Sequence, residues 1–74
     1  MAPYRRVAAA LREQIETGQL RPGEQVPSLP KLIETYGVSR NTALRALRVL
    51  REDGLITMEP GWGAFVTGPD TSRT

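Results

Sequence analysis

Four arginines lie within twelve positions of one another in the middle of this 74-residue chain, in the stretch GVSRNTALRALRVLREDG. The planar guanidinium can hold a phosphate or the edge of guanine through two hydrogen bonds at once. A helix face that is merely solvated more often alternates positive and negative side chains, which gain i,i+4 pairs. The stretch therefore predicts an anion-binding helix, with nucleic acid, acidic protein or lipid headgroups as candidate partners.

Two residue types that many catalytic and metal sites use are missing from the sequence. The chain contains neither cysteine nor histidine. Their absence excludes disulfides, thiol nucleophiles, zinc sites built from Cys or His, and the commonest general base. The acidic residues are scattered, and no pair is set apart for acid–base chemistry. We therefore predict a protein that is not an enzyme and that uses no metal and no cofactor.

Length and composition indicate one folded domain. Hydrophobic residues make up 39% of the chain and charged residues 24%, which is typical of a globular protein. Seventy-four residues suffice for one hydrophobic core. No apolar run is long enough to span a membrane, and no signal peptide is evident. We expect a domain over residues 1–67, a flexible tail over 68–74, no membrane partner and a cytoplasmic location.

The first predicted helix lies near the N-terminus. Val7, Leu11 and Ile15 follow one another at intervals of four residues, which places them on one helical face. Gly18 offers a stop for this helix. A Pro-Gly turn follows, and residues 25–26 are predicted to form a very short strand.

Two further helices are predicted on either side of a short turn that contains Gly37. Ser28 can cap a helix that runs through Tyr36, and Ser39 can cap a third helix that ends at about Asp53. Two helices joined by a short Gly-containing turn form a helix-turn-helix. The apolar segments LITME and AFVT flank PGWG and predict a β-hairpin. The predicted fold is α+β, a small winged helix-turn-helix with three helices and a short hairpin as its wing.

A helical wheel divides the third helix into two faces. The side assigned to the core carries Ala43, Ala46, Leu47 and Leu50. We call the other side the free face, and it carries Arg40, Asn41, Leu44, Arg45 and Arg48, with Ser39 and Thr42 at its N-terminal end. Arginine suits guanine, asparagine suits adenine, and hydroxyls suit phosphates or bases. The free face therefore predicts double-stranded DNA as the partner, with this helix in the major groove.

Leu44 is the apolar member of the free face, and two interpretations of it stay open. It could pack against the aliphatic stems of Arg40 or Arg48. It could instead touch the methyl group of a thymine, which is the apolar feature of the major groove.

The segments LREQIETGQLRPGEQVPS, YGVSRNTALRALRVLREDGLI and PGWGAFV together resemble the DNA-binding domain of GntR-family bacterial transcription regulators, over about residues 4–67. The resemblance implies a regulator, as a rule a repressor, that binds a palindromic operator as a homodimer. It also implies that the wing tip reaches the minor groove. Family members usually carry a larger effector-binding domain, which these residues could not form, so no small effector is expected to bind this chain.

The resemblance also assigns individual contacts. Ser39, Arg40 and Thr42 match the family's contact residues at the start of the recognition helix. Ser28 matches a position that caps the second helix near the phosphate backbone. Gly61 and Gly63 match the glycine pattern of the family's wing.

The sequence departs from the family pattern at three places. Where the family usually has an acid and an arginine after Pro-Ser, this chain has leucine and proline, and Lys31 could replace part of the lost charge. Leu44 stands where the family favours arginine. Trp62 stands at the wing tip in place of arginine or another polar residue, and it could either fold back over the hairpin or lie along the minor groove. Lys31, Leu44 and Trp62 are included among the predicted DNA contacts.

A second class of function stays open on the residues alone. A winged helix can serve as a protein-interaction module, and its basic helix would then meet an acidic protein partner. A test of non-specific binding to bulk DNA distinguishes the two hypotheses. The DNA-binding hypothesis requires such binding, and the protein-interaction hypothesis does not.

Overall fold

A computed structural model of the chain describes residues 2–61 and 63–67. The elements are α1 (Pro3–Glu16), α2 (Leu29–Tyr36), α3 (Arg40–Glu52), β1 (Ile56–Glu59) and β2 (Gly63–Val66). Their order confirms the predicted three helices followed by a two-stranded antiparallel wing. The predicted tail over residues 68–74 lies outside the described residues.

Helix α1 forms where the sequence places its apolar stripe. Val7, Ala8 and Leu11 are buried and face α3. The helix begins at Pro3, where a missing backbone N–H removes no intrahelical hydrogen bond. Gly18 follows the C-terminal end with a φ of 86°, as the predicted stop requires.

The turn between α2 and α3 is short because both helix ends are capped locally. Gly37 adopts a φ of 64°, a left-handed conformation that side chains with a Cβ disfavour, and its N–H donates to the carbonyl of Ile33 at 2.9 Å. Ser28 and Ser39 are the N-caps of α2 and α3, as predicted. The side-chain oxygen of Ser28 accepts from the backbone N–H of Lys31 at 3.4 Å. The two helices thus form the expected helix-turn-helix.

The hairpin pairs β1 with β2 in antiparallel register, from Ile56 opposite Val66 to Glu59 opposite Gly63. The free edge of β2 is covered by the predicted short strand, which forms one bridge between Gln25 and Phe65. Backbone hydrogen bonds reinforce this bridge on both sides, among them Val66 N–H to the Glu24 carbonyl at 2.8 Å. The strand β2 is therefore held from both sides and fixes the base of the wing.

One apolar cluster holds the three helices and the hairpin together. Its largest fully buried side chains are Leu11, Leu32, Leu50, Ile56 and Val7. No polar or charged side chain is buried among residues 2–61 and 63–67. None of the helices in this part of the chain is long and apolar enough to cross a membrane.

Candidate nucleic-acid interface

Helix α3 exposes the face that the helical wheel left free. Ala43, Ala46 and Leu50 are each 0% exposed, and Leu47 is 4% exposed. The free face has the opposite character: Leu44 and Thr42 are half-buried, and the exposed members are Ser39, Arg40, Asn41, Arg45 and Arg48. The predicted division of α3 into a core face and a free face is confirmed.

The N-terminus of α3 concentrates hydrogen-bond donors at one end of the free face. Ser39 Oγ accepts from the Thr42 N–H at 3.2 Å and lies 3.0 Å from Thr42 Oγ1, to which it donates. No acidic side chain occupies the first turn, where Arg40 and Asn41 are exposed. Unpaired backbone N–H groups and the positive end of the helix dipole favour an anion there. The capping bonds also show that the Ser39 hydroxyl shapes the helix end.

Six of the predicted site residues line two surface grooves. We call the first the α1 groove, and it is lined by Tyr4, Asn41, Leu44, Arg45, Arg48, Val49 and Glu52. It therefore brings four of the predicted DNA contacts together on one side of α3. The exposed part of Leu44 lies within this groove, beside two arginines.

The second groove lies between the N-terminal end of α2 and the hairpin, and we call it the wing groove. Its walls are largely apolar and include Leu29, Leu47 and Met58. Ser28 and Gly61 both line it, so the predicted α2 contact and the predicted wing contact share one groove. Among residues 2–61 and 63–67, the predicted contacts that line neither groove are Lys31, Ser39, Arg40 and Thr42.

The basic residues near α3 do not all contribute to the free face. Arg51, which the sequence grouped with the other arginines of this helix, lines the wing groove instead. Arg12 forms an ion pair with Asp53 at the C-terminal end of α3. Trp62 lies outside the described residues, and its predicted contact stays a prediction.

Tyr4 is a member of this surface that the sequence analysis did not single out. The guanidinium carbon of Arg45 lies 4.2 Å from the centre of the Tyr4 ring, within the range of a cation–π contact. Arg5 Nε also donates to the Tyr4 hydroxyl at 3.3 Å. This hydrogen bond, with the positive charge of Arg5 and a weaker effect of Arg45, lowers the pKa of Tyr4 below its ordinary value. A sequence signal existed, because Tyr4 precedes Ala8 by four residues and Leu11 by seven, on the buried side of α1.

The family profile described as "Bacterial regulatory proteins, gntR family" matches residues 3–66 of the chain. The chain belongs to the GntR family. This match confirms the resemblance inferred from the motifs and their order.

Curated relatives are about two fifths identical to this domain over the aligned residues. The histidine utilization repressor of Klebsiella aerogenes is 41% identical over 66 residues, which are 89% of this chain and 27% of that protein. The mannosyl-D-glycerate transport/metabolism system repressor MngR of Escherichia coli K12 is 41% identical over 63 residues, 85% of this chain and 26% of that protein. The chain thus spans about a quarter of the length of these relatives.

Solved structures confirm that the fold is the GntR winged helix. The DNA-binding domain of AraR in complex with operator ORX1 aligns with a TM-score of 0.88 at 30% identity, covering 90% of this chain and 81% of that chain. A GntR-family transcriptional regulator from Listeria monocytogenes aligns with a TM-score of 0.86 at 25% identity, covering 90% of this chain and 59% of that chain.

Proposed function

We propose that this domain is the part of a bacterial transcription repressor that binds operator DNA sequence-specifically. One observation carries the proposal: the exposed arginine-rich free face of α3 belongs to a fold that aligns with AraR bound to its operator. The names of the curated relatives, which include repressors of histidine utilization, favour repression over activation. In this role α3 enters the major groove and the hairpin lies at the neighbouring minor groove.

The proposed base contacts are at the N-terminal end of the free face. Arg40 and Asn41 are exposed and Thr42 is half-buried, within one turn of the helix start. A recognition helix presents this end most deeply to the base edges. Leu44 follows one turn later and offers its exposed part to a thymine methyl.

The proposed phosphate contacts surround the base contacts. Arg45 and Arg48 line the α1 groove, and Ser28 and Lys31 lie at the start of α2. Ser39 contributes by capping α3 and so setting the direction of its first N–H groups. The exposed Gly61 places wing backbone beside the DNA without a side chain in the way. Such contacts fix the position of the protein on the duplex.

Three features of the partners belong to the same proposal. Two copies of the domain bind a palindromic site, because a two-fold operator mirrors a two-fold protein arrangement. The domain itself binds no small effector. The protein acts in the cytoplasm, where bacterial chromosomal DNA is located. We propose no catalytic role for a member of this family of regulatory proteins.

Selection of bound duplexes from a random pool tests the proposal. We expect the selected sequences to contain two inverted half-sites separated by about one helical turn, or a multiple of it. Fluorescence anisotropy on a selected duplex should then show that log K falls with log salt concentration by about 0.9 for each phosphate contacted. An unselected duplex of equal length serves as the control and should bind more weakly at each salt concentration.

The protein-interaction alternative predicts a different result. A domain that binds no duplex at low salt, yet binds an acidic polypeptide, would overturn the proposal in favour of the alternative. Selected sequences without inverted symmetry would contradict the dimeric mode of binding while leaving DNA binding itself intact.

A further inference from the structure

The contact between Tyr4 and Arg45 joins the first turn of α1 to the free face of α3. The Tyr4 ring is half-buried and packs against the apolar core, so its position is fixed by the fold. Arg45 is exposed, and its guanidinium lies over that ring at 4.2 Å. In the described part of the chain, no carboxylate forms an ion pair with Arg45. The Tyr4 side chain, mainly through its ring and more weakly through its hydroxyl, thus restrains the guanidinium.

Stacking on a ring leaves the hydrogen-bonding capacity of arginine intact. A cation–π contact uses the face of the guanidinium, whereas its five N–H donors point outward in the plane of the group. An ion pair with a carboxylate would instead occupy two of those donors. Arg45 therefore keeps its donors available for a phosphate while the ring limits its rotamers.

Restraint before binding favours affinity. A free arginine side chain populates many rotamers, and part of this entropy is lost when the side chain is ordered at an interface. A side chain that is already ordered loses less of it on binding. Arg48 supplies the comparison, because it lines the same groove and stacks on no aromatic ring among residues 2–61 and 63–67.

We propose that Tyr4 is a positioning residue of the DNA interface, whose ring holds the Arg45 guanidinium on the free face of α3 ready to bind a phosphate. Arg5 contributes by donating to the Tyr4 hydroxyl at 3.3 Å, which adds a second cation next to the same ring. The role assigned to Tyr4 rests on the proposed DNA binding, whereas the stacking itself exists in the protein without DNA.

The stacking is measured in the DNA-free protein by NMR. The ring current of Tyr4 should shift the Arg45 side-chain protons upfield, and Tyr4→Leu should abolish this shift. Tyr4→Phe keeps a ring and should retain most of it. Arg48 protons serve as the internal control and should not change in either variant. Identical Arg45 resonances in the wild type and in Tyr4→Leu would overturn the proposal.

The effect on binding is measured by a double-mutant cycle with the selected duplex. Tyr4→Leu should weaken binding by about two- to fivefold, the factor that corresponds to an exposed cation–π contact. Tyr4→Phe should stay close to the wild type. In an Arg45→Ala background, Tyr4→Leu should have no further effect. In an Arg48→Ala background, Tyr4→Leu should weaken binding by the same factor as in the wild type.

The outcomes separate positioning from other roles of Tyr4. If Tyr4→Leu weakened DNA binding equally in the Arg45→Ala background, the positioning role would be overturned. Tyr4 would then act on DNA directly or through the fold. Thermal unfolding of each variant checks the fold; if Tyr4→Leu unfolds, the ring-current shift of Arg45 relative to Arg48 in the folded wild type carries the test, and its absence overturns the proposal. DNA binding without coupling between the two residues overturns this inference alone, whereas a wild type that binds no DNA overturns the proposed function together with it.

Discussion

At the scale of single residues, the arginines of α3 differ in what their positions allow. Arg40 is the first residue of the helix, beside the exposed Asn41, whereas Arg48 lies two turns further along, in the α1 groove. The start of a recognition helix approaches base edges and its later turns approach the backbone. The same side chain is therefore expected to give specificity at Arg40 and sequence-independent affinity at Arg48.

Substitution of these two arginines should give different results. Arg40→Ala should cost ~1–3 kcal/mol of binding free energy on the selected duplex and relax selectivity at one base-pair position. Arg48→Ala should weaken binding to all sequences about equally and reduce the salt slope by about 0.9. Anisotropy titrations against a panel of single-base variants, each at several salt concentrations, measure both quantities. A uniform loss for Arg40→Ala would place this residue on a phosphate.

At the scale of elements, the start of α3 combines a structural cap with the interface. Ser39 Oγ accepts from the Thr42 N–H, and the exposed free face begins with the next residue. A change at Ser39 is therefore expected to act on helix stability and on the charge at the proposed DNA interface. Two substitutions separate these effects, because aspartate is also a good N-cap but carries a negative charge.

Ser39→Ala should lower the free energy of unfolding by ~0.5–2 kcal/mol through loss of the cap. Ser39→Asp should keep the stability near that of the wild type and still weaken DNA binding, because a carboxylate would face phosphates. Urea unfolding and anisotropy on the same samples measure the two effects. Tight binding by Ser39→Asp would show that the start of α3 does not approach the DNA backbone.

At the scale of the whole molecule, apolar packing between elements holds the interface in place. Leu50 is 0% exposed and belongs to the cluster that α1, α2, α3 and the hairpin share. The ion pair between Arg12 and Asp53 also joins α1 to the end of α3, but its side chains are 40% and 44% exposed. Solvent screens such a pair, and pairs of this kind contribute about 0–1 kcal/mol.

Leu50→Ala should therefore lower the free energy of unfolding by ~2–5 kcal/mol, a large part of the stability of a small domain. Asp53→Asn, which removes the negative charge of the ion pair, should change it by less than about 1 kcal/mol. Urea unfolding followed by circular dichroism compares the two variants. Comparable losses would show that the exposed ion pair, and not apolar packing alone, fixes α1 on α3.

The local features of this protein could be predicted from its sequence. The spacing of Val7 and Leu11 marked the buried face of α1, and Ser28 and Ser39 marked the starts of α2 and α3. Gly37 marked the turn between those two helices. Each of these signals depends on residues within about one or two turns of one another, so the helical period and the capping rules are sufficient. The free face of α3 followed from the same period.

Contacts between distant segments were decided by the tertiary structure. The Tyr4 ring meets Arg45 because α1 packs across α3, and Arg12 meets Asp53 across a separation of 41 residues. Arg51 lines the wing groove because the hairpin lies beside α3, which the helical period of α3 alone does not determine. A helical period gives the direction of a side chain relative to its own axis. What that side chain meets depends on the neighbouring elements, and their arrangement is set by burial of the shared core.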